Sequence, residues 1–272
     1  MNKLHFFILA LGVFENTNGV SIEKDSIENA IKIEDAPFVA VVLEKNSKKT
    51  WYLASILSEY WLLSINGYLT TPGSNVTVWT GVDVLHSNGQ EHVVDYIISQ
   101  ELTAKTDTNY TQVALIKLKK PIVFGDKQKP ISLAEPHKKL KPGNKVKVFH
   151  YTNIYFSDRS TDEKKPLKLS SLEIVSSEKC NSRLESYYKN NTDYSDDDKI
   201  TITENNKMFC TEAVRRPCLP DFGSPAVFNG KLVGFSWFGL IPCGGYPILF
   251  NNINFYYNWV MEQVPELKKR SI

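Results

Sequence analysis

Cys218-Leu-Pro-Asp-Phe-Gly-Ser-Pro-Ala-Val227 is a ten-residue stretch that combines one cysteine with two prolines, one glycine and one aspartate. Proline and glycine interrupt regular structure, so the stretch is predicted to be a loop that leads into a short apolar run. It carries one aromatic ring, Phe222, between Asp221 and Gly223. A phenyl ring has neither a lone pair nor a transferable proton, so Phe222 cannot attack a substrate carbonyl.

Short β-branched or aromatic runs separated by turn sequences make up most of the chain, and they predict an all-β fold. Turn sequences such as Ser87-Asn-Gly89 and Lys141-Pro-Gly-Asn144 lie between the runs. Residues 253–267 have helical spacing instead and follow the last run. Many strands followed by one helix suit two packed β-barrels. The runs cover residues 38–43, 51–57, 76–79, 93–98, 113–118, 146–150 and 232–237.

The N-terminal segment predicts secretion. Residues 1–19 begin with Met1-Asn-Lys3, continue with an apolar run and end in small or polar residues, which is the layout of a signal peptide. A buried N-terminal helix is the alternative. No later apolar run is long enough to span a bilayer. We therefore expect a signal peptide at 1–19, a pro-segment at 20–29, one folded domain at 30–272 and no membrane segment.

The cysteines agree with an extracellular location, because they are even in number and lie in the last third of the chain. The sequence alone allows three ways of pairing them. Three Asn-x-Thr sequons, which begin at Asn75, Asn109 and Asn190, are predicted glycosylation sites on exposed loops. We therefore expect a disulfide-bonded, secreted glycoprotein. The four cysteines are Cys180, Cys210, Cys218 and Cys243.

The opening stretch resembles the Cys-Gln-Gly-Asp-Ser-Gly-Gly-Pro-Val-Val loop of trypsin-like serine proteases, a family with two packed six-stranded antiparallel β-barrels and a C-terminal helix. The cysteine, the aspartate, the first following glycine, the proline and the final valine are in register. The resemblance implies that Phe222 replaces the nucleophilic serine. It also implies that Pro220 replaces the glycine whose N–H forms half of the oxyanion hole. Proline has no N–H, and losing one such donor costs on the order of 10²- to 10³-fold in rate.

Three upstream segments carry the same resemblance. Tyr52-Leu-Ala-Ser-Ile-Leu57 and Trp61-Leu-Leu-Ser-Ile-Asn-Gly-Tyr68 resemble Cys-Gly-Gly-Ser-Leu-Ile and Trp-Val-Val-Ser-Ala-Ala-His-Cys, so Gly67 stands at the catalytic histidine. Thr111-Gln-Val-Ala-Leu-Ile-Lys-Leu118 resembles the strand that bears the catalytic aspartate, which is Gln112 here. Glycine offers no general base, and a neutral amide cannot stabilise an imidazolium. The resemblance thus predicts a pseudoprotease and not an enzyme.

The specificity pocket and the disulfides follow from the same resemblance. Arg216 stands where trypsin has the pocket-floor aspartate, and it would repel basic substrate side chains. Phe238 and Ile248 replace glycines of the pocket wall, so we expect them to fill the pocket. The implied disulfide pairs are Cys180 with Cys210 and Cys218 with Cys243.

The segment Ala30-Ile-Lys-Ile-Glu-Asp-Ala-Pro-Phe38 resembles the mature N-terminus of the family. In the family this terminus is released by a cut after a basic residue, and its amine pairs with the aspartate that precedes the nucleophile. The preceding residue here is Asn29, so that cut is not expected. We therefore expect Lys32 or Arg215 to pair with Asp221 instead, or the loop to be rearranged.

The overall pattern most resembles the scabies-mite inactivated protease paralogues, a group related to mite group 3 allergens and associated with inhibition of host complement. This resemblance implies a secreted binding protein for host serum complement components. The alternative is a non-catalytic decoy or accessory protein that binds protease inhibitors or an active protease in a cascade. A third hypothesis is a protease with unusual residues, for which Ser224 would be the replacement nucleophile.

The sequence contains no cofactor or nucleic-acid motif, and His86, His92, His137 and His150 lack metal-ligand spacing. Residues 117–168 hold fourteen Lys or Arg against five Asp or Glu, whereas the whole chain carries a net charge of +2. This segment is a candidate basic face for an anionic glycan or an anionic protein. Alternatively, its lysines coat the solvent-facing positions of strands.

Overall fold

The computed structural model describes most of the expected domain. The described residues are 29–45, 47–66, 69, 75–87, 89–100, 113–136, 140–151, 165–190, 199–202, 207–212, 221–239 and 246–270. The side chains of residues 47–50, 238, 239, 269 and 270 lie outside this description. The predicted signal peptide and residues 20–28 of the predicted pro-segment also lie outside it.

Thirteen strands are present in the described residues, and they form two antiparallel sheets. The first six after β1 form a closed barrel in the order β2-β3-β4-β7-β6-β5. Strands β4 and β7 are buried almost throughout, and Lys117 of β7 is the one residue of the two strands that is only half-buried. The strands of this barrel are β2 (Val39–Glu44), β3 (Ser47–Ile56), β4 (Trp61–Ile65), β5 (Val76–Thr80), β6 (Gln90–Ser99) and β7 (Val113–Leu118).

The second sheet differs from the expected six-stranded barrel, because it has seven strands and its ladder is open. Its order is β1-β9-β8-β11-β12-β13-β10. The extra strand is β1, which pairs with β9 at one edge. An isolated bridge between Ile174 and Thr211 brings the end of β9 to β10, so the remaining six strands curl into a partly closed barrel. The strands are β1 (Asn29–Ala30), β8 (Lys145–His150), β9 (Lys168–Glu173), β10 (Met208–Thr211), β11 (Pro225–Phe228), β12 (Lys231–Gly239) and β13 (Ile248–Asn252).

Two α-helices pack on the second sheet. Helix α2 (Ile253–Gln263) lies within the predicted helical region, and the side chain of its N-cap, Asn252, accepts a hydrogen bond from Asn254 N at 3.1 Å. Helix α1 (Ser177–Asn190) was not predicted from the sequence. A disulfide between Cys180 and Cys210 ties α1 to β10, and such a bond typically contributes about 2 to 4 kcal/mol to stability.

The core runs continuously through both sheets, and a smaller apolar cluster lies beneath α1. The chain crosses from the first barrel to the second over residues 119–136. Ile131 N donates to Ile56 O at 2.9 Å on the first barrel, and Leu232 N donates to Ser132 O at 2.9 Å on the second. These bonds hold the two barrels side by side and place the loop before β11 between them.

Candidate functional site

A tight turn lies between the barrels at Asp221–Ser224, immediately before β11. Ser224 N donates a hydrogen bond to Asp221 O at 2.9 Å, and Gly223 has a φ of +80°. This is the pattern of a turn that favours glycine at its third position. A Cβ atom on Gly223 would lie 2.1 Å from Leu53 O, so no larger residue fits without movement of β3. The turn is therefore pressed directly against the backbone of the first barrel.

Phe222 occupies the corner of this turn and is half-buried. Its carbonyl oxygen accepts a hydrogen bond from Leu53 N at 2.7 Å, and its side chain packs against the apolar core. The ring centroids of Phe222 and Tyr52 are 6.3 Å apart, with planes tilted by 41°. The position that the resemblance assigns to the nucleophile is thus filled by an aromatic contact between the barrels.

Ser224 is fully buried, and its hydroxyl has no hydrogen-bond partner among the described residues. Its backbone N–H donates to Ser236 Oγ at 3.0 Å as well as to Asp221 O. The Ser236 hydroxyl in turn donates to Asp221 O. A hydroxyl that neither solvent nor a base reaches cannot attack a substrate, so the geometry disfavours Ser224 as a replacement nucleophile.

Asp221 is 5% exposed, and both of its carboxylate oxygens accept hydrogen bonds. Oδ1 accepts from the Trp51 indole Nε1 at 3.0 Å, and Oδ2 accepts from Tyr151 N at 2.7 Å. Trp51 belongs to β3 of the first barrel, whereas Tyr151 follows β8 of the second. We call these three residues the Asp221 clamp, because they join the turn to both barrels. Charge-assisted bonds of this kind are about twice as strong as neutral ones.

The Tyr151 side chain extends the clamp. It is 1% exposed, and its hydroxyl donates to Val82 O at 2.6 Å. Burial, with a further contribution from the Asp221 carboxylate, raises the pKa of Tyr151 far above its usual range. Tyr151 therefore stays protonated and keeps donating to the first barrel.

Sequence reasoning expected Lys32 or Arg215 beside Asp221 and did not identify Trp51 or Tyr151. Lys32 is exposed, and its charge helps to lower the pKa of Asp83, while Arg215 lies outside the described residues. Ala30 is exposed in β1 and pairs with Lys168 of β9. The segment that resembles a mature N-terminus is thus held at the edge of the second sheet.

Several predicted site residues lie outside the described part of the chain. They are Gly67, Gln112, Arg216, Pro220, Asn109 and the cysteine pair Cys218 and Cys243. The backbone of Phe238 lies in β12 beside a register shift and pairs with Leu249. Ile248 is 2% exposed and belongs to the apolar core, so its side chain fills space within the second sheet.

The disulfide between Cys180 and Cys210 is the pair that the resemblance implied for these two cysteines. Two of the sequon asparagines lie at the surface. Asn75 is exposed just before β5, and Asn190 is exposed as the last residue of α1. Both are accessible to a glycosylating enzyme.

The described histidines make structural contacts. His92 Nε2 lies 2.8 Å from Thr80 Oγ1, and His150 Nε2 lies 2.9 Å from Ser170 Oγ, with both rings buried. Within the described residues no group of His, Cys, Asp or Glu side chains could hold a metal ion. No helix in the same part of the chain is long and apolar enough to cross a membrane.

The basic segment is divided in the structure. Lys127 forms ion pairs with Asp83 and Glu34, and Lys129 pairs with Asp126. On β8, exposed Lys145 and Lys147 alternate with buried valines, as expected for a strand with one solvent-facing side. Part of the segment is therefore neutralised locally, and part coats a sheet surface.

Comparison with known proteins identifies the family. The family model described as Trypsin matches residues 28–260. The chain belongs to the trypsin family. One relative of this trypsin-family chain is the clotting factor G beta subunit of Tachypleus tridentatus. The two are 23% identical over 242 residues, which cover 83% of this chain and 75% of the relative. A trypsin of Simulium vittatum is 27% identical over 187 residues, 67% of this chain and 68% of the relative.

Solved structures share the chymotrypsin-like fold of this trypsin-family chain. The scabies mite inactivated protease paralogue S-D1 superposes with a TM-score of 0.70 at 19% identity and covers 89% of this chain and 97% of its own. Paralogue S-I1 gives a TM-score of 0.67 at 18% identity, over 89% of this chain and 100% of its own. Mouse neuropsin, a serine protease, gives a TM-score of 0.67 at 21% identity, over 87% of this chain and 98% of its own. Inactivated protease paralogues and a serine protease thus share this fold.

Proposed function

We propose that this chain is a secreted, non-catalytic member of the trypsin family that acts by binding another protein. The observation that carries the proposal is the turn at Asp221–Ser224, where Phe222, which the sequence resemblance assigns to the nucleophile position, packs near Tyr52. A phenyl ring in that place cannot act as a nucleophile, and the neighbouring Ser224 is fully buried. The losses that the sequence predicts at Gly67 and Gln112 support the same conclusion.

Absence of catalysis is tested with the mature protein and a mixture of random peptides. We expect no cleavage by the wild-type chain, and none by the Phe222→Ser variant, because a serine alone lacks the base and the acid. Cleavage that is abolished by substituting Ser224 or another single residue would instead make the chain a protease.

For the partner, we propose complement components of host serum. The likeness in fold to inactivated mite protease paralogues supports a binding role, and the resemblance described above associates that group with complement. The test is the activity of each complement pathway in human serum with increasing amounts of the mature protein. We expect dose-dependent inhibition that survives substitution of Phe222 or Arg216, because the surface and not the old cleft makes the contact. No inhibition at micromolar concentration would reject complement as the target.

A second candidate is a decoy or accessory protein in a proteolytic cascade. The relative from Tachypleus tridentatus, a clotting factor subunit by its name, favours this candidate. In that case the chain would bind a protease or a protease inhibitor through the former cleft. Binding that is lost on substituting Phe222 or Arg216 would support the decoy over the surface-binding protein.

An anionic glycan is a further proposed ligand of the basic segment. The exposed lysines of β8, Lys145 and Lys147, support it because no ion pair of theirs is present among the described residues. Retention on immobilised heparin that falls in a Lys145→Glu/Lys147→Glu variant would support this site.

A further inference from the structure

Two exposed apolar side chains lie on one strand of the first barrel. Within the described residues the exposed large hydrophobic side chains are Val93, Tyr96, Val123 and Phe255, with 53%, 49%, 74% and 38% of their surface accessible. Val93 and Tyr96 both lie on β6, and Val123 lies in the segment after β7. Scattered exposed residues are normal, but a contiguous group marks a contact surface more often.

The strand pairing places aromatic and basic residues in one row across the barrel wall. Lys117 of β7 is the register partner of Trp61 on β4 and of Tyr96 on β6. Residues paired in this way project to the same side of a sheet. The centroids of the Trp61 and Tyr96 rings are 5.8 Å apart in an edge-to-face arrangement.

Two rings hold the ammonium of Lys117. Its Nζ lies 4.4 Å from the centroid of the Tyr60 ring and 4.7 Å from that of Trp61. Cation–π contacts at this range are favourable and limit the motion of a long side chain. The row is therefore pre-ordered, and a partner would bind it with a smaller loss of conformational entropy.

A β-bulge turns Tyr96 outward. The register between β6 and β7 shifts between Val94 and Tyr96, so that Asp95 is the extra residue and both Asp95 and Tyr96 are exposed. Bulges of this kind redirect side chains. The exposure of Tyr96 is thus a consequence of the strand geometry and not of a frayed end.

Positive charge adjoins this row. Lys119 N donates to Val93 O at 3.0 Å, which places Lys119 beside Val93, and Lys120 follows it. Lys119 and Lys120 are exposed, and neither forms an ion pair within the described residues. Three carboxylates flank the area. They are Glu59, before Tyr60, and Glu91 and Asp95, on β6.

We propose that this surface, the Tyr96 patch, binds an acidic segment of a partner protein. The patch comprises Tyr60, Val93, Tyr96, Lys117, Lys119 and Lys120. Carboxylates of the segment meet Lys119 and Lys120, and an apolar side chain covers Val93 and Tyr96, since tyrosine is enriched at the centres of protein interfaces. The proposal deepens the binding role given above and rests on it.

The first test uses the mature protein and an immobilised random copolymer of glutamate and tyrosine, with a copolymer of lysine and tyrosine for comparison. We expect binding to the acidic copolymer that weakens as salt is raised from about 50 to about 300 mM. Tyr96→Ala and the double variant Lys119→Glu/Lys120→Glu should each bind about tenfold more weakly or worse.

Matched controls come from elements outside the first barrel. Phe255→Ala removes the exposed aromatic ring of α2, and Lys141→Glu reverses an exposed lysine in the turn before β8. Both controls should bind like the wild type. No binding by the wild type, or an equal loss in patch and control variants, would overturn the proposal. Binding to heparin or to anionic lipid vesicles that is lost in the patch variants, without binding to the acidic copolymer, would also overturn it, by assigning the patch to another ligand.

The same variants separate this inference from the proposed function. If the wild type inhibits complement, the Tyr96 patch variants should inhibit at about tenfold higher concentration and the two controls at the wild-type concentration. Inhibition that is equal in all variants overturns the patch and leaves the binding function intact. Absence of inhibition with intact copolymer binding rejects complement and supports the patch.

Discussion

Two places in this molecule put aromatic rings beside a charged group, one in the interior and one at the surface. In the interior, the Trp51 indole donates to the Asp221 carboxylate, and both residues are buried. Nearer the surface, the ammonium of half-buried Lys117 lies against the rings of Tyr60 and Trp61, and the neighbouring Tyr96 is exposed. A buried charge must be satisfied within the fold, whereas an exposed charge remains available to a partner. The turn at Asp221–Ser224 is therefore a structural junction between the barrels, and we expect binding to occur elsewhere.

The largest effect is expected from Asp221→Ala, which removes the acceptor at the centre of the Asp221 clamp. The Trp51 indole N–H and the Tyr151 amide lose their partner in the core, and each unsatisfied donor costs about 1 to 3 kcal/mol. We expect the free energy of unfolding to fall by about 3 to 5 kcal/mol in a urea titration. Asp126→Ala, which removes an exposed ion pair with Lys129, should cost less than about 1 kcal/mol. Equal losses in the two variants would refute the clamp.

Gly223→Ala tests how tightly the turn is pressed on the first barrel. The new Cβ would lie 2.1 Å from Leu53 O, and the residue would keep a φ of +80°. We expect a loss of about 2 to 4 kcal/mol in thermal or urea unfolding. Gly143→Ala is the control, because it has a φ of +87° but no atom within 4 Å of the added Cβ. Gly143→Ala should lower the free energy of unfolding by only about 1 kcal/mol, which is the cost of holding alanine at a positive φ without any steric contact.

Protonation of a buried histidine should give a smaller, pH-dependent effect. Burial lowers the pKa of His92 below its value in the unfolded chain, where it is about 6.5. The contribution of His92 to stability is therefore fully present above about pH 6.5 and is lost as the pH falls below it. The decrease cannot exceed about 1.4 kcal/mol per pH unit. Urea midpoints at about pH 7.5 and pH 5.5 should differ less in His92→Gln than in the wild type.

Tyr96→Ala should have the smallest effect on stability and the largest on binding. Tyr96 is half exposed, and its removal breaks one edge-to-face contact with Trp61. We expect a loss of about 0.5 to 1 kcal/mol in the free energy of unfolding, together with the loss of copolymer binding described above. A destabilisation as large as that of Asp221→Ala would show that Tyr96 is a core residue.

Much of the fold could be predicted from the sequence, because the strand signals are local. The predicted runs fall in β2, β3, β5, β6, β7, β8 and β12, and the helical spacing after residue 253 corresponds to α2. Helix α1 was missed because its surface is strongly polar. Its buried residues do have helical spacing, and that is the signal that could have revealed it: Cys180, Leu184, Tyr187 and Tyr188.

The partners of Asp221 could not be predicted, because they are distant in the chain. Trp51 lies 170 residues away and Tyr151 lies 70 residues away, and one of the two contacts uses a backbone N–H that no motif marks. The extra strand of the second sheet, β1, was missed for a similar reason. It consists of Asn29 and Ala30, and a run of two residues is too short to show a strand pattern in the sequence. Its strand conformation comes from pairing with β9. Such features depend on tertiary contacts and not on local sequence.

The Asp221 clamp also has an evolutionary consequence. Both carboxylate oxygens of Asp221 accept bonds, one from the Trp51 side chain and one from the Tyr151 backbone, so the turn depends on a side-chain donor in the first barrel. Replacing Trp51 with a residue that has no side-chain donor would leave Asp221 Oδ1 without this hydrogen bond, unless Asp221 changes as well. The two positions should therefore change together in related chains.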